Sequence, residues 1–189
     1  MNTTLKKKII FVCTGNTCRS PMAEAVLKAV LQEKGLTKVQ VSSAGLQAKP
    51  KDLMNEKTAQ TLMDKGIELL NFQAKKLTKT MLKSSLAIVC MTDRQRDLVM
   101  EMRWKALREA GEEEIENNVY SFLELAGYEV LDPYGRDMDC YHYVFELIKG
   151  GMPAIIDKIL PENVREKYRE KPKTTKKTGG KTRKKEKIL

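Results

Sequence analysis

Ile9-Ile10-Phe11-Val12-Cys13-Thr14-Gly15-Asn16-Thr17-Cys18-Arg19-Ser20-Pro21 decides how the rest of the chain is read. Four apolar residues stop at a polar Gly15-Asn16 turn, which predicts a short buried strand beginning at Lys7. Pro21 suits the first turn of a helix, where its missing N–H costs nothing. Met22, Val26, Ala29 and Val30 continue as an apolar stripe to about Lys34, and Gly35 ends it. Between strand and helix lies a loop suited to an anion. Successive backbone N–H groups and the positive end of the helix supply donors. Gly15 permits unusual backbone angles for that wrap, and Thr14, Asn16, Thr17 and Cys18 complete it. Arg19 adds a planar fork able to hold two oxygens of a phosphate. Cys13 stands at the origin of the loop, where the same positive field favours its thiolate. Ser20 is placed to donate to the sulfur. The chemistry implied is in-line attack of a thiolate on phosphorus, a phosphocysteine, and hydrolysis by water.

Working outward, Val39 to Ser43 reads as a second strand closed by Ala44-Gly45, and Asn55 to Lys65 as a helix stopped by Gly66. Thr78 caps a short helix through about Lys83, and Leu86 to Met91 is a third buried strand. Asp93 caps a helix carrying Leu98, Val99, Met102, Ala106 and Leu107 at helical spacing. Val119 to Phe122 is a fourth strand, and residues 127–138 are loop. The last helix carries Val144, Leu147, Ile148, Ile155 and Ile159, with a break expected at Gly150-Gly151 and Pro153. Strands alternating with helices predict a single α/β domain with a central four-stranded parallel sheet and helices on both faces. Ligands in such folds bind at the carboxyl ends of strands, where the Cys13 loop falls.

The 189 residues, 41% apolar and 32% charged, suit one globular domain. No apolar run approaches the ~18 residues of a membrane span. The run after Lys6-Lys7-Lys8 is too short for a signal peptide. Cys13, Cys18, Cys90 and Cys140 lack the paired short spacings of a zinc site, so reduced thiols in a cytoplasm are expected. Of the net charge of +10, residues 161–189 contribute +8, with 12 Lys or Arg against 4 Asp or Glu. Residues 1–165 are therefore read as the domain. Residues 166–189 are read as a basic tail with too few apolar residues to fold. Clustered lysines can bind a polyanion weakly and with strong salt dependence. The alternative is a solvated tail, since no aromatic residues are interleaved for base stacking.

The thiolate mechanism wants a proton donor for the leaving group. The single histidine, His142, reads as an ordinary helix residue. Asp132, before Pro133 in a glycine-flanked loop, can be aimed by a rigid turn. The mechanism requires neither a metal nor an organic cofactor.

Cys13 to Ala25 resembles the active-site loop of the low-molecular-weight protein tyrosine phosphatase family. Ser42-Ser43-Ala44-Gly45, Val89-Cys90-Met91-Thr92 and Asp132-Pro133-Tyr134-Gly135 resemble, in order, three further segments of that family. The resemblance implies Cys13 as nucleophile, Arg19 as phosphate clamp and Asp132 as general acid. It implies Asn16 and Ser43 as a pair bracing the loop, and Ser20 as the hydroxyl that lowers the sulfur's basicity. It also implies a reversible Cys13–Cys18 disulfide that protects against overoxidation. Thr17, where phosphotyrosine-directed members commonly carry an aliphatic residue, is most similar to the bacterial protein arginine phosphatases. A threonine hydroxyl there can hydrogen-bond a guanidinium, and Tyr134 can stack on it. The implied activity is dephosphorylation of phosphorylated proteins, phosphoarginine before phosphotyrosine. Arsenate reduction on the same fold is disfavoured because Cys90 and Cys140 offer no sulfur relay. The family often has a histidine after the second helix to brace the loop; here Asn71-Phe72 stands in that region.

Overall fold

A computed structural model describes residues 8–112 and 116–170 of the protein. Four strands, β1 (Lys8–Cys13), β2 (Gln40–Gly45), β3 (Ala87–Cys90) and β4 (Val119–Ser121), form one parallel sheet in the order β2-β1-β3-β4. β1 lies inside the sheet, and Ile9 to Val12 are completely buried. That explains a continuous apolar run in place of an alternating one. Its two faces still differ. Ile9, Phe11 and Cys13 pack with α1 (Arg19–Glu33) and α6 (Met138–Ile159). Ile10 and Val12 pack with α3 (Lys79–Ser84) and α4 (Asp93–Arg108). Helices therefore cover both faces, as the alternating pattern requires. The register pairs Cys13 with Gly45, Val12 with Cys90 and Cys90 with Ser121, so four strand ends share one carboxyl edge.

Local signals set most boundaries. Asn55 caps α2 (Glu56–Asp64), accepting from the Lys57 N–H, and Thr78 caps α3, accepting from Met81. α4 is capped by Thr92, one position before the Asp93 cap expected from sequence, and Asp93 is its first helical residue. β4 ends at Ser121. Phe122, expected in that strand, opens the short α5 (Phe122–Ala126), closed at its start by a capping box of Ser121 and Glu124.

The break expected at Gly150-Gly151 and Pro153 does not occur; α6 runs unbroken through all three. A Cβ on Gly151 would lie 2.7 Å from the Phe122 ring, so this glycine admits α5 against α6. Pro153 is exposed, and the carbonyl that loses its donor there can be solvated. Residues 166–168, read as part of the tail, form a 3-10 turn after α7 (Glu162–Arg165). The Tyr168 ring is buried with the α1–α6 core, and the Tyr168 carbonyl accepts from Lys38 N–H. The rest of the expected tail, from residue 171 onward, lies outside the described residues.

Candidate active site

Cys13 ends β1 at the carboxyl edge, and the chain wraps from it through residues 14–18 into the start of α1. The wrap is turned at Asn16, whose φ of 57° is left-handed; Gly15, expected to supply that freedom, does not have a positive φ. Asparagine is among the few side-chain-bearing residues that enter this region readily, and here its amide is held from several sides. Asn16 Nδ2 donates to Ser43 Oγ at 2.8 Å and to Ser20 Oγ at 2.9 Å, while Oδ1 accepts from Lys75 N–H at 2.8 Å. The last contact comes from the backbone of the segment holding Asn71-Phe72, so a main-chain donor braces the loop from that side. Gly45 is needed for a different reason. A Cβ there would come within 2.7 Å of Thr14 O and 2.9 Å of Asn16 N, so only glycine lets β2 lie against the loop.

The sulfur is held as tightly. Ser20 Oγ lies 2.9 Å from Cys13 Sγ, and Asn16 N–H donates to Sγ at 3.3 Å. Beneath them, Ser43 Oγ donates to Glu24 Oε2 at 2.6 Å, and Lys28 donates to Glu24 Oε1 at 2.6 Å. Glu24 is buried, and sequence reading gives it no role. The available signal was its place between Ala23 and Ala25 on the apolar side of the helix, with Lys28 one turn on.

α1 begins at Arg19 with no side-chain cap and no acidic residue in its first turn, leaving its positive end available to an anion. Cys13, Thr14, Gly15, Thr17, Cys18 and Arg19 line a cavity of about 230 Å³, with Asp132 and Tyr134 on its other side. The buried Arg19 guanidinium reaches residues 127–137. Nη1 donates to Val130 O at 3.3 Å, and Nη2 forms an ion pair with Asp132 Oδ2. Asp132 Oδ1 accepts from Tyr134 N–H at 3.2 Å, the rigid turn expected of Asp132-Pro133.

Supporting contacts absent from the sequence reading surround this set. Gln95 Nε2 donates to Thr14 Oγ1 at 3.1 Å. Lys57 donates to the Arg136 carbonyl, and its ammonium lies 5.9 Å from the centre of the Tyr141 ring. The Tyr141 hydroxyl lies 3.6 Å from Cys18 Sγ. Burial and the contact with Cys18 push the Tyr141 phenol up, so it keeps its proton. His142 lies outside the cavity, with Nε2 3.3 Å from Asp64 Oδ2. Cys90 is sealed in the sheet, and burial pushes its thiol up. A buried thiol above a basic wrap, faced by one arginine and one carboxylate, is equipped for attack on a phosphoryl group and for proton transfer to what leaves.

Known proteins place this arrangement in a family. The sequence model described as low molecular weight phosphotyrosine protein phosphatase matches residues 8–169. The protein-arginine-phosphatase of Bacillus subtilis (strain 168) is 34% identical over 136 residues, covering 70% of this chain and 83% of its own. The low molecular weight protein-tyrosine-phosphatase PtpB of Staphylococcus epidermidis is 29% identical over 155 residues, covering 80% and 96%. The crystal structure of a YwlE mutant from Bacillus subtilis matches with a TM-score of 0.70 at 29% identity, over 82% of this chain and 99% of that one. The chain belongs to the low molecular weight phosphotyrosine protein phosphatase family and is a low-molecular-weight protein phosphatase.

Proposed function

We propose that this phosphatase removes phosphate from arginine side chains of proteins, with Cys13 as nucleophile, Arg19 as phosphate clamp and Asp132 as proton carrier. The observation that carries the reading is one cavity lined by Cys13, Arg19, Asp132 and Thr17 together. The Cys13 thiolate attacks phosphorus, the P–N bond breaks, and protonated Asp132 gives its proton to the departing guanidine nitrogen. In the second half Asp132 takes a proton from water, the water oxygen bonds to phosphorus, and the S–P bond returns its electron pair to Cys13. The loop N–H groups and Arg19 hold the equatorial oxygens throughout.

Thr17 supports the choice of guanidinium. A guanidinium is rich in N–H donors, and a threonine hydroxyl offers it an acceptor that an aliphatic side chain lacks. Tyr134, at the cavity edge, presents a ring on which the planar group stacks. The same ring suits a phenol, and relatives named for tyrosine share the family, so phosphotyrosine is the rival substrate. A side-by-side assay on phosphoarginine and phosphotyrosine peptides separates them. Thr17→Ile is expected to lower the ratio of kcat/KM for phosphoarginine over phosphotyrosine by about tenfold; a ratio that rises overturns the assignment to arginine. Cys18 is read as the redox partner of Cys13 in a cytoplasmic enzyme. Peroxide inactivation reversed by thiols in the parent protein, and irreversible in Cys18→Ser, is the expected outcome.

A further inference from the structure

Beside the catalytic cavity the surface carries a second concavity of about 390 Å³ lined by apolar residues except for Glu68. Its floor holds Leu62, Ile67 and Phe72, and its rim holds Leu53, Met63 and Leu70, which are 73%, 63% and 75% exposed. Three large apolar side chains left in water around one groove are a patch of the kind that meets another molecule.

Two features tie this groove to the chemistry. Leu53 belongs to both surfaces: with Thr17, Asn55 and Tyr134 it also lines the mouth outside the phosphate loop. The chain leading out of each wall, moreover, is fastened to the loop. On one side Asn55 N–H donates to Thr17 O at 3.0 Å; on the other Lys75 N–H donates to Asn16 Oδ1 at 2.8 Å. The chain segments adjoining the walls are also joined to each other, by Ala74 N–H to Asp52 O at 2.8 Å and Lys51 N–H to Ala74 O at 3.1 Å. Lys51 holds this position with a φ of 76°, a left-handed conformation that a lysine keeps only where its surroundings impose it. The groove is thus preformed and fixed in register with Cys13, and a bound side chain there need not pay to organise it.

We infer that this groove is a substrate subsite: it takes an apolar side chain of the phosphorylated protein, a few residues along the chain from the phosphorylated one. The inference rests on the protein-phosphatase reading above and is indifferent to whether arginine or tyrosine carries the phosphate. The occupant follows from continuity. A protein whose phosphorylated side chain reaches Cys13 must lay its neighbouring backbone across the mouth, and the mouth leads through Leu53 into the groove. An extended chain advances about 3.3 Å per residue, so only residues close in sequence can reach it.

The test uses the full chain carrying Met63→Glu and Leu70→Glu, two exposed positions remote from the reacting atoms. Substrates are p-nitrophenyl phosphate and two phosphopeptide sets, one with leucine or phenylalanine at positions flanking the phosphorylated residue and one with serine there. The parent enzyme should prefer the apolar set by 10- to 100-fold in kcat/KM, mostly through KM. The double variant should lose that preference while keeping its rate on p-nitrophenyl phosphate. Equal rates on the two peptide sets with the parent enzyme would overturn the subsite. So would a variant that loses equally on the small phosphate, or a parent dimer in gel filtration that the variant abolishes, since the groove would then serve a second copy. If the parent turns over none of these phosphates, what fails is the phosphatase reading itself, a result distinct from equal peptide rates.

Discussion

Around the phosphate loop, Asn16, Ser20 and Ser43 are buried and joined through the Asn16 amide, and the sulfur above them has two hydrogen-bond partners, Ser20 Oγ and Asn16 N–H. In residues 127–137, Asp132 keeps 51% of its side chain in water and Tyr134 is 73% exposed. The two segments meet at the Arg19 guanidinium, yet one is built from interior contacts and the other from a turn on the surface. The difference matches their proposed tasks. Binding a phosphoryl group needs donors fixed before it arrives, because donors that must reorganise lose much of their value. A proton carrier must give a proton to the leaving group and take one from the entering water in each cycle, and burial would keep that water from it.

That contrast can be attacked in order of expected effect. Cys13→Ser should abolish turnover while vanadate binding remains detectable by calorimetry; residual activity near the parent level would remove the thiolate from the mechanism. Asp132→Asn should lower kcat/KM, which reports the step that expels the leaving group, by ~10²–10⁴ on substrates with poor leaving groups and far less on p-nitrophenyl phosphate. A uniform loss would make Asp132 a structural residue. Asn16→Ala leaves Ser43 and Lys75 N–H without their partner in the interior. It should cost about 1–3 kcal/mol of stability, read as a lowered Tm, and lower kcat as well. Unchanged stability would mean the loop is not the rigid half of the pair. Tyr134→Ala, on the exposed side, should raise KM a few-fold and leave Tm unaltered; a lowered Tm would erase the distinction between the two segments.

The same division governs what could be read from the chain. Ile9 to Val12 and the turn after them announce β1, and Cys13, Arg19 and Asp132 are legible because their spacing and neighbours carry chemical meaning. Strand order is not legible: alternation specifies parallel strands, whereas β2-β1-β3-β4 depends on which crossovers pack. Glu24 escapes because a glutamate on a helix looks solvated until Ser43, from a different strand, is seen to donate to it. Gly15 misleads because a glycine in a loop invites the assumption of a left-handed turn that Asn16 makes instead. Gly150-Gly151 misleads because small residues signal a break only where nothing packs on them, and here Phe122 does. Ser121 and Glu124 could have announced α5, since their three-residue spacing is that of a capping box.

The ion pair between Arg19 and Asp132 has a consequence for how tightly the enzyme holds phosphate. The guanidinium already has an anion of its own, supplied by the chain, so on the proposed mechanism a phosphoryl group competes with a carboxylate for it. Affinity is then a difference between two anions competing for one cation, and in the proposed cycle the exchange that admits substrate also sets the carboxyl free to carry protons. Removing the negative charge in Asp132→Asn abolishes the competitor. The slower variant should therefore hold inorganic phosphate more tightly than the parent, measurable as a lower product-inhibition constant: an internal counter-ion that keeps product release fast.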